Sequence, residues 1–408
     1  MLLRLEEIKF NHDSSSASVD AFNIRKNETE FIDVPEWRRG VSTKPEHSPA
    51  AYARGETRGN TLTIEANFSV DGTGPQDVCI RALDANFHQE PVTGSLLSPQ
   101  EVQLLQTMVP DPAGNVLGEV KAKPVTFSGG KTGFQSFDLQ CVRIWDVGVG
   151  RQDIVWRWQF RLNGTEDWID LAVTTHRIYT VLNVPTLPWL QIDHEPSNTQ
   201  LPWIAVLDHT CASDWAGNAQ DTDEAAARIT QRVFDLGGQG VICYASTGST
   251  FYTDRRRFDC SSFLARLDGT TGKGKSVNCD DCAAIVSTFA NSVGCNLSQM
   301  CIRAIGLAAF KLKPHVRIGI KGTQECKEFL HHQVASEDGC GEDVEVFDAC
   351  LQIGDPAQPG AFMVPTNLRF KMGESGYHFR LVATEHQSIT TPHPDCKRRR
   401  LAPAIGFP

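Results

Sequence analysis

A cysteine stands at position 279 in Ser276-Val277-Asn278-Cys279-Asp280-Asp281-Cys282-Ala283, at the head of a run whose apolar residues keep helical spacing. A thiol in the first turn of a helix faces free backbone N–H groups and the positive end of the dipole, and both favour thiolate. The position therefore predicts a nucleophile with a depressed pKa. Downstream, Leu330-His331-His332-Gln333-Val334-Ala335 sets a histidine at the start of an alternating strand. Asp348 follows sixteen residues after His332, in Val346-Phe347-Asp348-Ala349-Cys350. A polar turn through Glu337-Asp338-Gly339-Cys340-Gly341 makes the two strands neighbours and carries the Asp348 carboxylate to the His332 imidazole. Cys279, His332 and Asp348 are then nucleophile, general base and orienter. Tyr244 and Tyr252 are the hydroxyls expected to help backbone N–H groups hold an oxyanion. The bland reading makes Cys279 one more buried thiol.

A metal is the competing use of these residues. Cys279-x-x-Cys282 with Cys295, Cys301, His331, Cys340 and Cys350 has the right ligand types. A structural zinc site normally shows two close pairs, and here the second pair is missing. The expectation is accordingly no metal and no cofactor.

The elements that must position these groups fall into two textures. Residues 1–190 alternate with period two between turn signals, as in Thr61–Phe68, Asp77–Ala82, Gln135–Val142 and Ile154–Arg161. That is the pattern of an all-β, immunoglobulin-like sandwich, with Trp156, Trp158 and Trp168 as packing residues. Pro185-Thr186-Leu187-Pro188-Trp189 and the polar run His194–Asn198 read as a linker, with the boundary between about 185 and 205. Residues 200–408 form the second domain. Asp221-Thr222-Asp223-Glu224 opens a helix that stops at Gly237-Gly238, and a second helix runs from about Asp280 to Ser292. Strand-like segments follow at Met300–Ile305, Val316–Ile320, Gln333–Ser336 and Val344–Leu351, which gives an α+β domain.

Two domains suit a chain of 408 residues. A formal charge of −10 argues against general affinity for nucleic acid or anionic membrane. No run approaches the roughly 20 apolar residues of a membrane span. The start, MLLRLEEIKFNHDSSS, lacks the features of a cleaved Sec leader. The expected location is the cytosol as synthesised, with export only by a route that needs no cleaved leader. Thirteen cysteines, an odd number, argue against a complete disulfide framework in such a chain.

The segment Asn278 to Gly294 resembles the core motif of the transglutaminase-like superfamily of papain-type folds. In that motif the nucleophile is followed four residues on by Ala and fifteen on by Gly, here Cys279, Ala283 and Gly294. The His332–Asp348 interval resembles the family's strand pair, and the resemblance spans roughly residues 200–355. More loosely it extends to uncharacterised bacterial members. It implies a papain/transglutaminase-like second domain and a cysteine-dependent acyl transfer on amide bonds, as protease, amidase, deamidase or transglutaminase. The substrate would be a protein or peptide, with the sandwich docking a partner or orienting the substrate; a secreted effector is one such arrangement. Gln333-Val334 replace the aromatic residue common after the histidine, and no acidic cluster for calcium stands out. Phe258-Asp259-Cys260-Ser261-Ser262-Phe263 separately resembles the Asp-Cys-Ser-Gly motif of NlpC/P60 peptidoglycan peptidases, with His315 as partner. Ser262 stands where that motif has glycine. A non-enzymatic alternative is a scaffold on an inactive domain.

Overall fold

The computed structural model describes the chain apart from residues 1, 14–16, 73–76, 89–94, 163–164, 190–200, 246–250, 255–256, 271–273, 325–327, 338–342, 356–357, 359, 371–375, 393–401 and 404–408. The turn residues Asp338–Gly341 and the polar run His194–Asn198 lie outside the described residues. The fold is a mixed α/β one, and the chain divides into two units. One holds residues 1–24, 30–184 and 191–195; the other holds 25–29, 185–190 and 196–408.

Alternation in the first unit becomes nine strands: β1 Leu3–Lys9, β2 Trp37–Arg38, β3 Pro49–Ala53, β4 Thr63–Val70, β5 Asp77–Asp84, β6 Glu119–Thr126, β7 Lys131–Gln140, β8 Gly150–Leu162 and β9 Ile169–Val181. They join in one hydrogen-bonded order, β2-β1-β4-β7-β6-β5-β8-β9-β3. β3 runs parallel to β9. In β4 the buried residues fall on every second position, as a half-buried strand requires. Trp156 and Trp158 pack edge to face, with ring centroids 6.2 Å apart. Their indole N–H groups donate to the Gly118 carbonyl and the Thr174 hydroxyl.

The first unit is not purely β. Residues Pro99–Thr107 form a helix, because Ser98 and Glu101 make a reciprocal capping box and Pro99 occupies the first turn. A second feature is a buried acidic cluster. Asp20 is fully buried, and its Oδ2 accepts from the backbone N–H groups of His12 at 2.9 Å and Asp13 at 2.6 Å. Its Oδ1 and the buried Tyr52 hydroxyl meet no partner among the described residues. Glu36, also buried, accepts from the Phe10 and Asn11 N–H groups. Burial pushes the Asp20 carboxyl up to about 6 and that of Glu36 up to about 7.

The second unit is built on a five-stranded antiparallel sheet. Its order is Leu368–Arg369, Glu345–Phe347, His332–Glu337, Leu297–Ala304 and Thr390–Pro392. The helix Cys279–Ser292 is buried at every position but Asp280. A helix enclosed this fully is a core element, not a surface one. Asn291 shows how a polar residue is accommodated there. Asn291 donates to the Leu187 and Leu297 carbonyls and accepts from the Leu297 N–H. The helix expected after Asp221 runs from Thr222 to Gly238, with Asp221 as its cap.

The residues expected to be a linker are partly structural. Trp189 is fully buried and its indole donates to the Thr288 carbonyl of the enclosed helix. The Thr186 backbone N–H donates to the Asn291 carbonyl. Pro185–Trp189 is thus strapped along that helix, because an apolar indole gains more from burial than from a solvated link.

Candidate functional site

Asn278 starts the enclosed helix. Its side chain accepts from the Asp281 N–H at 3.1 Å, and the Asp281 carboxylate accepts in return from the Asn278 N–H at 3.2 Å. Asp281 also accepts from the backbone of Phe251 and Tyr252 and from the Thr253 hydroxyl. One buried carboxylate therefore fixes both the helix start and the loop beside it. Burial pushes that carboxyl up to about 6.

Cys279 occupies the first turn with 5% of its surface exposed. Its electrostatics run opposite to the expectation of a depressed pKa. Burial and the neighbouring Asp280 carboxylate raise it well above the usual thiol range, against a backbone N–H of Gln333 that favours the thiolate. Desolvation outweighs the helix-start effect here, so the resting group is a thiol.

His332 begins the strand His332–Glu337 and is fully enclosed. Its Nε2 lies 2.9 Å from Asp348 Oδ2. Its Nδ1 is buried with no hydrogen-bond partner among the described residues. Asp348 sits where the expected strand Val344–Leu351 breaks in two, between Glu345–Phe347 in the five-stranded sheet and Leu351–Gly354 in a three-stranded one. The break follows from its carboxylate. Oδ1 accepts from the Cys350 and Leu351 N–H groups, and Oδ2 also accepts from the Tyr377 hydroxyl at 2.8 Å. Four donors fill the acceptor capacity of one carboxylate and hold it facing His332. Tyr377 went unnoticed in the sequence, since a residue 29 positions away carries no local signal.

The two tyrosines separate. The Tyr252 hydroxyl donates to the Gly274 carbonyl at 2.5 Å, and this commitment corrects its expected role as an oxyanion donor. Tyr244 feels the Cys350 and Cys279 thiols, and burial holds its hydroxyl protonated well above the usual range. The Arg317 guanidinium lies over its ring, 4.6 Å from the centroid.

Cys260 and His315 belong to different surroundings. Cys260 opens the helix Cys260–Leu267 under an Asp259 cap, fully buried, with Asp259 and Glu28 as its charged neighbours. The His315 Nε2 accepts from Arg317, and its ring faces Phe329, whose ring also meets His332 at 6.1 Å.

Among the described residues, two groups have ligand atoms within 4.8 Å of one another: Cys279, Asp280 and His331, and the acidic set Asp223, Glu337 and Glu345. The wider set weighed for zinc has other commitments. The Cys295 thiol donates to the Thr222 carbonyl, Cys282 hydrogen-bonds Cys350, and Cys340 lies outside the described residues. Among the described residues no helix is long and apolar enough to cross a membrane.

No family model matches this sequence, and no curated protein matches it. Among solved structures, red sea bream transglutaminase is similar at 12% identity with a TM-score of 0.37, over 76% of this chain and 51% of that one. The chain spans about half the length of that structure.

Proposed function

We propose that this chain is a cysteine-dependent acyl-transfer enzyme of transglutaminase-like type, acting on amide bonds of a protein or peptide through Cys279, His332 and Asp348. The observation that carries the reading is the enclosed His332–Asp348 pair, 2.9 Å apart, whose second imidazole nitrogen meets no partner among the described residues. The next residue, Gln333, offers its N–H to the Cys279 sulfur. A histidine oriented on one nitrogen and open on the other is what a general base needs.

In this reading His332 Nδ1 takes the thiol proton as the sulfur attacks the amide carbonyl carbon. The carbonyl π pair moves to oxygen, giving a tetrahedral oxyanion held by backbone N–H groups near Cys279 and by the Tyr244 hydroxyl. Collapse breaks the C–N bond, and the departing amine takes the proton from His332. A thioester remains. Water resolves it to an acid; a second amine resolves it to a new amide. Hydrolysis is the expected balance, because Gln333-Val334 offer no aromatic shelter for the thioester against water. The nine-stranded unit serves as an immunoglobulin-like docking module, and the second unit is papain-like. The NlpC/P60 alternative loses its base, since His315 is held by Arg317.

The test compares wild type with Cys279→Ala on a glutamine-containing peptide supplied with a labelled amine. Label incorporated by wild type alone indicates transamidation, and cleaved or deamidated peptide without label indicates hydrolysis. Equal behaviour of the two proteins would leave the scaffold reading in its place.

A further inference from the structure

Beside the His332–Asp348 pair stands a second constellation, in which Cys279 meets Asp280 and His331, two residues that the acyl-transfer reading leaves unused. His331 Nε2 lies 3.2 Å from Asp280 Oδ2, and the Cys279 sulfur is within 4.8 Å of ligand atoms on both. His331 and Asp280 are part-exposed, so the group is open to solution on one side. Asp280 Oδ1 is shut off from water and meets no donor among the described residues. A carboxylate with one oxygen desolvated and unpartnered is short of compensation for its charge, which a cation bound to it would supply.

From this geometry we infer that Cys279, Asp280 and His331 form a binding site for a divalent cation of the zinc class. The donor set is one sulfur, one imidazole nitrogen and one carboxylate oxygen, which suits zinc or cobalt and disfavours magnesium or calcium. Two ligands each about 2 Å from a tetrahedral ion stand about 3.3 Å apart. His331 and Asp280 already have that spacing at 3.2 Å. The Cys279 sulfur, within 4.8 Å of both, has to draw in to share the ion. Three protein ligands leave the fourth position to water. On binding, the Cys279 thiol releases its proton to solvent and the His331 nitrogen presents its lone pair. If Cys279 is the nucleophile proposed above, the ion occupies the sulfur that attack requires, and zinc is then an inhibitor; that clause alone rests on the acyl-transfer reading.

The experiment titrates the reduced, metal-free full chain with Co²⁺ and records the near-ultraviolet thiolate-to-cobalt charge-transfer band. One equivalent should develop the band, and one equivalent of Zn²⁺ should remove it. His331→Ala should weaken binding at least ten-fold, as should Asp280→Ser, which provides a second variant if the first misfolds. Cys141→Ser, at an exposed thiol, should change nothing. In parallel, Zn²⁺ should slow iodoacetamide labelling of Cys279 mapped by peptide mass spectrometry, and His331→Ala should cancel that protection. An unchanged band in both ligand variants, or no band at one equivalent, overturns the site. A chain that turns over amides through Cys279 but shows no band sinks the metal site alone. A chain that shows the band but performs no Cys279-dependent chemistry sinks only the acyl-transfer reading.

Discussion

Replacing Asp20 with Asn tests the acidic cluster of the first unit with almost no change of shape. The Asn oxygen can keep the two N–H donors from His12 and Asp13, and its NH₂ falls where Asp20 Oδ1 has no partner. The groups facing Asp20 are His12, with Nδ1 3.9 Å from Oδ2, then Asp13, Glu36 and Tyr52. Folding raises this acid from 3.8 to about 6, so the folded chain holds the proton more tightly than the unfolded chain. Its contribution is therefore complete below about pH 4 and lost as the pH climbs through about 6. A rise of that size corresponds to at most about 3 kcal/mol at 1.36 kcal/mol per pH unit. Urea unfolding at pH 4 and pH 8 measures it. The Asn variant should match wild type at pH 4 and exceed it by about 1–3 kcal/mol at pH 8. Glu36, raised to about 7, should leave a residual loss of stability between those pH values in both proteins. A variant less stable than wild type at pH 8, or a difference independent of pH, would refute the reasoning.

Other outcomes follow from the site. Asp281→Ala removes the acceptor of four donors and should cost about 3 kcal/mol in urea unfolding, with the Phe251–Thr253 backbone losing hydrogen-exchange protection. Iodoacetamide at pH 7.5 should label exposed Cys141 before enclosed Cys279, with the Cys279 rate climbing as pH rises; peptide mapping that finds Cys279 first would contradict the raised thiol. Tyr244→Phe should lower kcat by about ten-fold or more, as loss of an oxyanion donor does, while Tyr252→Phe should leave kcat within about two-fold. Equal losses in the two variants would remove Tyr244 from the chemistry.

What was legible in the sequence was mostly local. The Asn278–Asp281 box marks the helix start because cap and partner are three residues apart, and the same signal at Ser98–Glu101 was available for the helix that interrupts the β half. The strand at His332 showed in its alternation. Asp348 was visible as a residue type, but the break it causes depends on N–H groups that turn back onto it. Long-range commitments left no trace: the Tyr377 hydroxyl on Asp348, the Gly274 carbonyl that takes Tyr252, and Trp189 on Thr288. The raised thiol pKa is not legible in the sequence because position on a helix is local, whereas desolvation is set by everything packed around it.

The strap Pro185–Trp189 is not the one early piece of chain that the second unit needs. Arg25 donates its backbone N–H to the Pro202 carbonyl and accepts from Ile204, and Glu28 takes a hydrogen bond from Ser261. A fragment begun at residue 200 would therefore lack both, leaving the Thr288 carbonyl and the pocket of Trp189 empty. On the ribosome the order is reversed. Residues 25–29 emerge long before the helix starts they bond to, and wait through the synthesis of strands β2 to β9. Assembly of the second unit thus joins chain made early to chain made late, and supplying residues 25–29 in trans as a peptide would be the way to complement a fragment begun at Pro185.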